Sequence, residues 1–193
     1  MQGRNSKEHW AAIGEALTAA AKSFGSLMNE FARPTTRAPA TAANTKTADI
    51  AAQTARAREH HRIVTDLFMA IWPAHHKCSA VSGIYGYQSP ELVGNFIQMQ
   101  SGLELRPGWN AKELAEHPAM VAHYEWLPRS AAAAVGDIAV YDGPGYGTVG
   151  VVVDLTPRHS HPMVYTQGPF PPRVVNLSHM SLIGYHRPKD WID

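Results

Sequence analysis

An α+β fold is predicted by three features of the sequence. Two helix-periodic stretches occupy the region before residue 73. A succession of short β-branched runs begins near residue 136, and glycine- and proline-rich turns separate those runs. Helices first and strands afterwards predict N-terminal helices packed on a five-stranded, mostly antiparallel sheet. The chain has 193 residues, 45% of them hydrophobic and 17% charged, with a formal net charge of +1. That is enough chain for one domain of ordinary size and an extension. The balanced charge gives no broad attraction to nucleic acid. No apolar run reaches the ~18 residues of a membrane helix, so no membrane span is expected. No basic segment followed by an apolar core and a small-residue cleavage site opens the chain, so no Sec signal is expected.

The first helix is expected within residues 1–32. Trp10, Ile13, Leu17, Ala20, Phe24, Leu27 and Phe31 follow the alternating three-and-four spacing of a coiled-coil seam. Such a stripe either packs on its own domain or docks on a partner or a second copy, through Trp10, Leu17, Phe24 and Phe31. Residues 33–46 are rich in Pro, Thr and Ala without apolar periodicity and read as a linker, which favours docking. Residues 47–193 are expected to form the main domain. It opens with a helix over 47–72 whose apolar side carries Ile50, His61, Val64, Leu67, Phe68 and Ile71. Pro73 ends that helix, because the residue before a proline is pushed out of the α region.

Ser89-Pro90-Glu91 reads as a helix start with proline in its first turn, and Leu92, Phe96 and Met99 then share a face. Asn110 is a plausible cap for a short helix after Trp109. Trp109, Tyr124 and Trp126 read as core aromatics, with a ligand groove as the alternative. The strands follow. Ile138 to Tyr141 alternates, Val149 to Val153 is β-branched apart from Gly150, and four of the five residues 143–147 are Gly or Pro. Further strands are expected over 163–167, 173–177 and 182–188.

The only cysteine, Cys78, excludes an internal disulfide and a multi-cysteine zinc site. By itself it is either a small buried hydrophobe or a reactive thiol. Among the 11 histidines, His159-Ser160-His161 could hold zinc with an added carboxylate. No His-Glu-x-x-His spacing accompanies it, and neither a metal nor a cofactor is expected.

The Gly136-Asp137-Ile138 opening, the glycine turn and the aliphatic strand beyond it resemble the core hairpin of the CHAP and NlpC-type papain-like cell-wall hydrolases. Cys78-Ser79-Ala80-Val81 is similar to the Cys-Ser-Gly-aliphatic helix start of the NlpC type, with Ala80 for the glycine and Lys77 where an aspartate is usual. Gln167-Gly168-Pro169 is similar to the segment after the third site residue, and Gly184-Tyr185-His186-Arg187-Pro188 to the closing strand of CHAP domains. The resemblance spans Cys78 to Pro188 and implies a hydrolase-like core over 75–193.

It also implies a chemistry. The Cys78 thiolate would attack an amide carbonyl of a peptidoglycan peptide, a histidine would move the proton, and Gln167 would orient the imidazole. Thr148 stands where the family carries that histidine, and its hydroxyl cannot shuttle a proton near neutral pH. The candidate replacement is His161, with His159, His76 and His75 as other bases. An uninterrupted strand from Thr148 would carry His161 to the far end of the sheet. The expected function is therefore a cysteine amidase or endopeptidase acting on peptidoglycan. The alternative is a catalytically degenerate member of the same fold that binds cell wall or serves as a structural module of a phage particle. A missing Sec signal and a detachable helix fit a virion component or a protein exported by another route.

Overall fold

The computed structural model of the chain describes residues 42–72, 88–105, 109–155, 161–168 and 170–189, with side chains from residue 47 onward. The chain separates into two compact units, Met1–Ala52 and Gln53–Asp193, and the whole sheet lies in the second. The helix expected over 1–32 and most of the linker lie outside the described residues.

Helix α1 spans Ala42–Ile71. It begins five residues before Thr47, so the last residues assigned to the linker, 42–46, are helical. Ala42 and Ala43 are strong helix formers, and neither Pro nor Gly follows Pro39 until the helix is established. At its other end the Trp72 N–H still bonds the Phe68 carbonyl at 2.9 Å before Pro73 stops the helix. His61, Thr65 and Phe68 are buried, while Arg62 stays wet and pairs with Glu59 and Asp66 one turn away on either side. Helix α2 spans Ser89–Ser101 and buries Leu92, Val93, Phe96 and Ile97. A 3-10 helix (Ala111–Glu116) and the single-turn α3 (Met120–His123) follow.

The sheet has six strands, not the five expected: β1 (Tyr124–Pro128), β2 (Ile138–Asp142), β3 (Thr148–Asp154), β4 (Met163–Thr166), β5 (Arg173–Asn176) and β6 (Ser181–Pro188). Every pairing is antiparallel, in the order β1-β6-β2-β3-β4-β5. The additional strand is β1. Its Pro128 suggests a terminator, yet β1 lies at the sheet edge, where a proline costs no ladder hydrogen bond on its free side. Strands β2 to β5 form a meander. Strand β6 then returns across the sheet to sit between β2 and β1.

Alternation along the strands divides the residues between two cores. Ile138, Val140, Val149, Val151 and Tyr165 pack with Phe68, Leu92, Phe96, Leu114 and Met120 on the helix-bearing side. Ala139, Tyr141, Val152, Val164, Leu182 and Tyr185 form the opposite side. Both sets are buried, which fixes the register strongly, since a one-residue slip would exchange the two faces.

Candidate functional site

The hairpin takes the expected form, with Ile138 opposite Val151 and Tyr141 opposite Thr148. Its start is tied to the chain's last strand by an interaction that single-residue patterns do not reveal. The Asp137 carboxylate, completely buried, accepts from Arg187 Nε at 2.9 Å and Nη2 at 2.7 Å, and from the Ala134 N–H at 2.7 Å. Burial pushes the Asp137 carboxyl up, while the guanidinium and the Ala134 N–H pull it back. The Gly-Asp-Ile opening and the Gly-Tyr-His-Arg-Pro strand are thus two halves of one ion pair.

Three segments meet where β3 begins. The Val149 N–H donates to Ser89 Oγ at 3.3 Å, and Gln167 Nε2 donates to the Gln88 carbonyl at 2.8 Å. Ser89, the first residue of α2, therefore docks on the start of β3, and Gln88 just before it docks on the residue just beyond β4. The resemblance implies a nucleophile at a helix start and places it at Cys78. The residues at the helix start, however, are Gln88 and Ser89. Cys78 stands ten residues earlier in the chain and lies outside the described residues, as do His75, His76 and His159.

The remaining predicted residues are not brought together. Val151 faces Tyr165 and Val152 faces Val164, so Thr148 and Gln167 share one end of the sheet. They do not share a face. Val149 and Tyr165 belong to the helix-side core, so alternation sends Thr148 to the opposite side and Gln167 toward α2. His161 precedes Met163, which pairs with Asp154 at the other end of β3. Its ring lies 6.2 Å from that of Tyr141, a residue of the opposite core. His161 and Gln167 are thus separated across the sheet. Gln167 is 2% exposed, and its Oε1 has no hydrogen-bond partner among the described residues.

A groove of about 510 Å³ opens beside the start of α2, within the ~300–1,000 Å³ range of small-ligand sites. The outward side of α2 supplies one wall, and the Trp109 segment and the hairpin turn supply the other. The second wall is held in place by several contacts. Asn110 donates from its backbone N–H at 2.9 Å and from its side-chain amide at 2.7 Å to the Glu113 carboxylate. Those bonds hold the Glu113 carboxyl below its ordinary range. The Lys112 N–H donates to the Tyr146 carbonyl at 3.1 Å, joining the 3-10 helix to the hairpin turn. The Trp109 ring meets His117 edge-on at 6.3 Å between centroids. Trp109, Tyr124 and Trp126 are the three aromatics that offer a ligand groove as an alternative to core packing. Only Trp109 lines it, since Tyr124 is core and Trp126 packs on His186.

Gly147 lets the turn approach that wall. Its φ is +74°, and a Cβ there would stand 2.5 Å from the Tyr141 carbonyl oxygen and 3.2 Å from Lys112 Cβ. Gly147→Ala should therefore destabilise the domain by at least ~1–2 kcal/mol, the cost of a left-handed backbone for an L-residue. Urea unfolding measures this, and a cost under half of that would show that the turn relaxes freely.

Among the described residues no three His, Cys, Asp or Glu side chains cluster as a metal site requires, and no helix is long and apolar enough to cross a membrane. No protein-family model, curated protein or solved structure matches the chain.

Proposed function

We propose that the domain is a catalytically degenerate member of the papain-like cell-wall hydrolase type that binds peptidoglycan through the groove beside α2. One observation carries the reading. The helix docked on the start of β3 opens with Gln88 and Ser89, and the Ser89 hydroxyl is engaged by the Val149 N–H. The resemblance calls for a thiolate and an imidazole; Thr148 stands in the imidazole's place, and the helix start docked on β3 offers an amide and a tied hydroxyl. Neither those two groups nor Thr148 moves a proton near neutral pH. The groove beside α2 would serve as the binding cleft. Such a module would act at the bacterial cell wall, as part of a phage particle.

A second reading, a cysteine amidase or endopeptidase, rests on Gln167. Its buried Oε1, without a hydrogen-bond partner among the described residues, is an acceptor suited to orienting an imidazole N–H. The histidine would then come from His75, His76 or His159 and serve Cys78.

Co-sedimentation with purified sacculi, run beside zymography, separates the two. Full-length protein that sediments with sacculi and clears nothing supports the binding module. Clearing that disappears in Cys78→Ala replaces it with the enzyme. Neither sedimentation nor clearing removes both.

A further inference from the structure

The end of β2 carries a dipeptide with a chemistry of its own. Asp142-Gly143 is the one Asp-Gly step in the sequence, which holds no Asn-Gly. Asp142 is the last residue of β2 and is exposed. It still faces Ser181 of β6, whereas the pairing with β3 ends one residue earlier, at Tyr141 and Thr148. Its Oδ1 accepts the Gly143 N–H at 3.0 Å. That bond holds the Gly143 nitrogen beside the carboxyl group, whose carbon Cγ is one bond from Oδ1. Gly143 has no Cβ to hinder a closer approach, and its backbone turns more freely than that of any other residue type. The other described aspartates lack this combination. Asp49 and Asp66 lie within α1, where the helical ladder fixes each peptide group. Asp137 is buried, gripped by Arg187 and followed by the β-branched Ile138. Asp154 is followed by Leu155.

We propose that Asp142 is a site of spontaneous backbone isomerisation, in which aspartate becomes isoaspartate through a cyclic imide. The Gly143 amide nitrogen attacks Cγ of the Asp142 carboxyl in its acid form. The N–Cγ bond forms, and the amide proton leaves with the carboxyl hydroxyl as water. Water then opens the ring. Addition at Cγ breaks the new bond and restores aspartate. Addition at the Asp142 main-chain carbonyl breaks the original peptide bond and leaves isoaspartate. One water is released and one consumed, and nothing is oxidised or reduced. The main chain of the product runs through Cβ and Cγ and is one carbon longer. That carbon enters between β2 and the turn whose Tyr146 carbonyl accepts the Lys112 N–H at 3.1 Å. Isomerisation therefore acts on the wall of the groove, because it displaces the turn from the 3-10 helix and releases the Lys112 N–H.

Incubation of the full chain in mildly acidic buffer made with heavy-oxygen water, followed by peptide mapping, tests it. Isoaspartate at 142, carrying one heavy oxygen, is expected to accumulate about tenfold faster or more than at any other described aspartate. Asp142→Asn, compared at neutral pH, should convert faster still, since ammonia then leaves more readily than water. Asp142→Glu, which would need a larger ring, should not convert. In the isomerised fraction, separated by ion exchange, hydrogen exchange at the Lys112 amide should be about tenfold faster or more. The same chain unfolded in urea supplies the reference rate. Isomerisation more than about tenfold slower in the folded chain than in urea would overturn the proposal, since the fold would then keep the nitrogen from Cγ. Isoaspartate at 142 with unaltered Lys112 exchange would overturn the effect on the groove wall.

Discussion

Arg187→Ala is expected to cost about 3–5 kcal/mol at pH 7, the usual penalty for stripping one partner from a buried ion pair. Asp137 is completely buried, and Arg187 supplies two of its three donors. Without the guanidinium, the carboxylate keeps only the Ala134 N–H. Its pKa should then rise further, so the variant should regain part of its loss as acid protonates Asp137. Replacing both residues, with Asp137→Asn and Arg187→Met, should cost less than Arg187→Ala alone, because no charge is left buried without a partner. Urea melts of the three variants at pH 7 and pH 5 provide the comparison. A single-variant cost near 1 kcal/mol, or a double variant no better than the single, would mean that the pair is dispensable.

The second large effect is on acid stability, through His186. Its ring is 3% exposed, Nε2 donates to the Leu114 carbonyl at 2.7 Å, and Nδ1 is buried without a partner among the described residues. That bond requires the Nε2–H tautomer. Burial, with a smaller contribution from the nearby His117, pushes the imidazolium pKa down to about 4 against the Leu114 bond. The unfolded chain takes up this proton near pH 6.5 and the folded chain does not, so acid favours unfolding. The stability contributed by the neutral ring is present above pH 6.5 and is lost as the pH falls toward 4. Between pH 7 and pH 5 the loss is about 2 kcal/mol, at 1.36 kcal/mol per unit of pKa difference. His186→Phe should be less stable at neutral pH but should lack this slope. Subtracting the two profiles also cancels Asp137, whose raised pKa acts in the opposite sense. Parallel profiles would contradict the assignment.

Much of this architecture is legible from local pattern. Val149 to Val153, the glycine turn and the alternation from Ile138 to Tyr141 specify a hairpin, because burial of both faces leaves only one register. Ser89-Pro90 and the Asn110 to Glu113 spacing mark helix starts for equally local reasons. Pairings distant in sequence are not legible in this way. The strand at Tyr124–Pro128 depends on β6, roughly sixty residues later in the chain. The Asp137–Arg187 contact joins residues that separate motifs suggest but do not connect. The groove is harder still. Each of its lining carboxamides, Gln88, Asn95, Gln98 and Asn110, taken alone, is an ordinary surface residue, and only the docking of α2 against the hairpin turn gathers them. The sequence motifs named Cys78, His161 and Gln167 from their order along the chain. Order does not encode which face of a strand a residue uses, and Thr148, Gln167 and His161 differ in that respect.

The insertion of β6 between β2 and β1 bears on how the domain comes into being. As the chain leaves the ribosome, the meander from Ile138 to Asn176 can form by short-range pairing alone. Strand β1, although made before it, has no pairing partner until Ser181–Pro188 emerges. The nascent domain therefore waits with one edge of β2 uncovered and an aromatic strand unpaired, a state prone to association with other chains. Completion by β6 closes both at once. A fusion or truncation that delays or removes those eight residues should affect soluble yield more than any change of similar size in β5, the strand at the opposite edge.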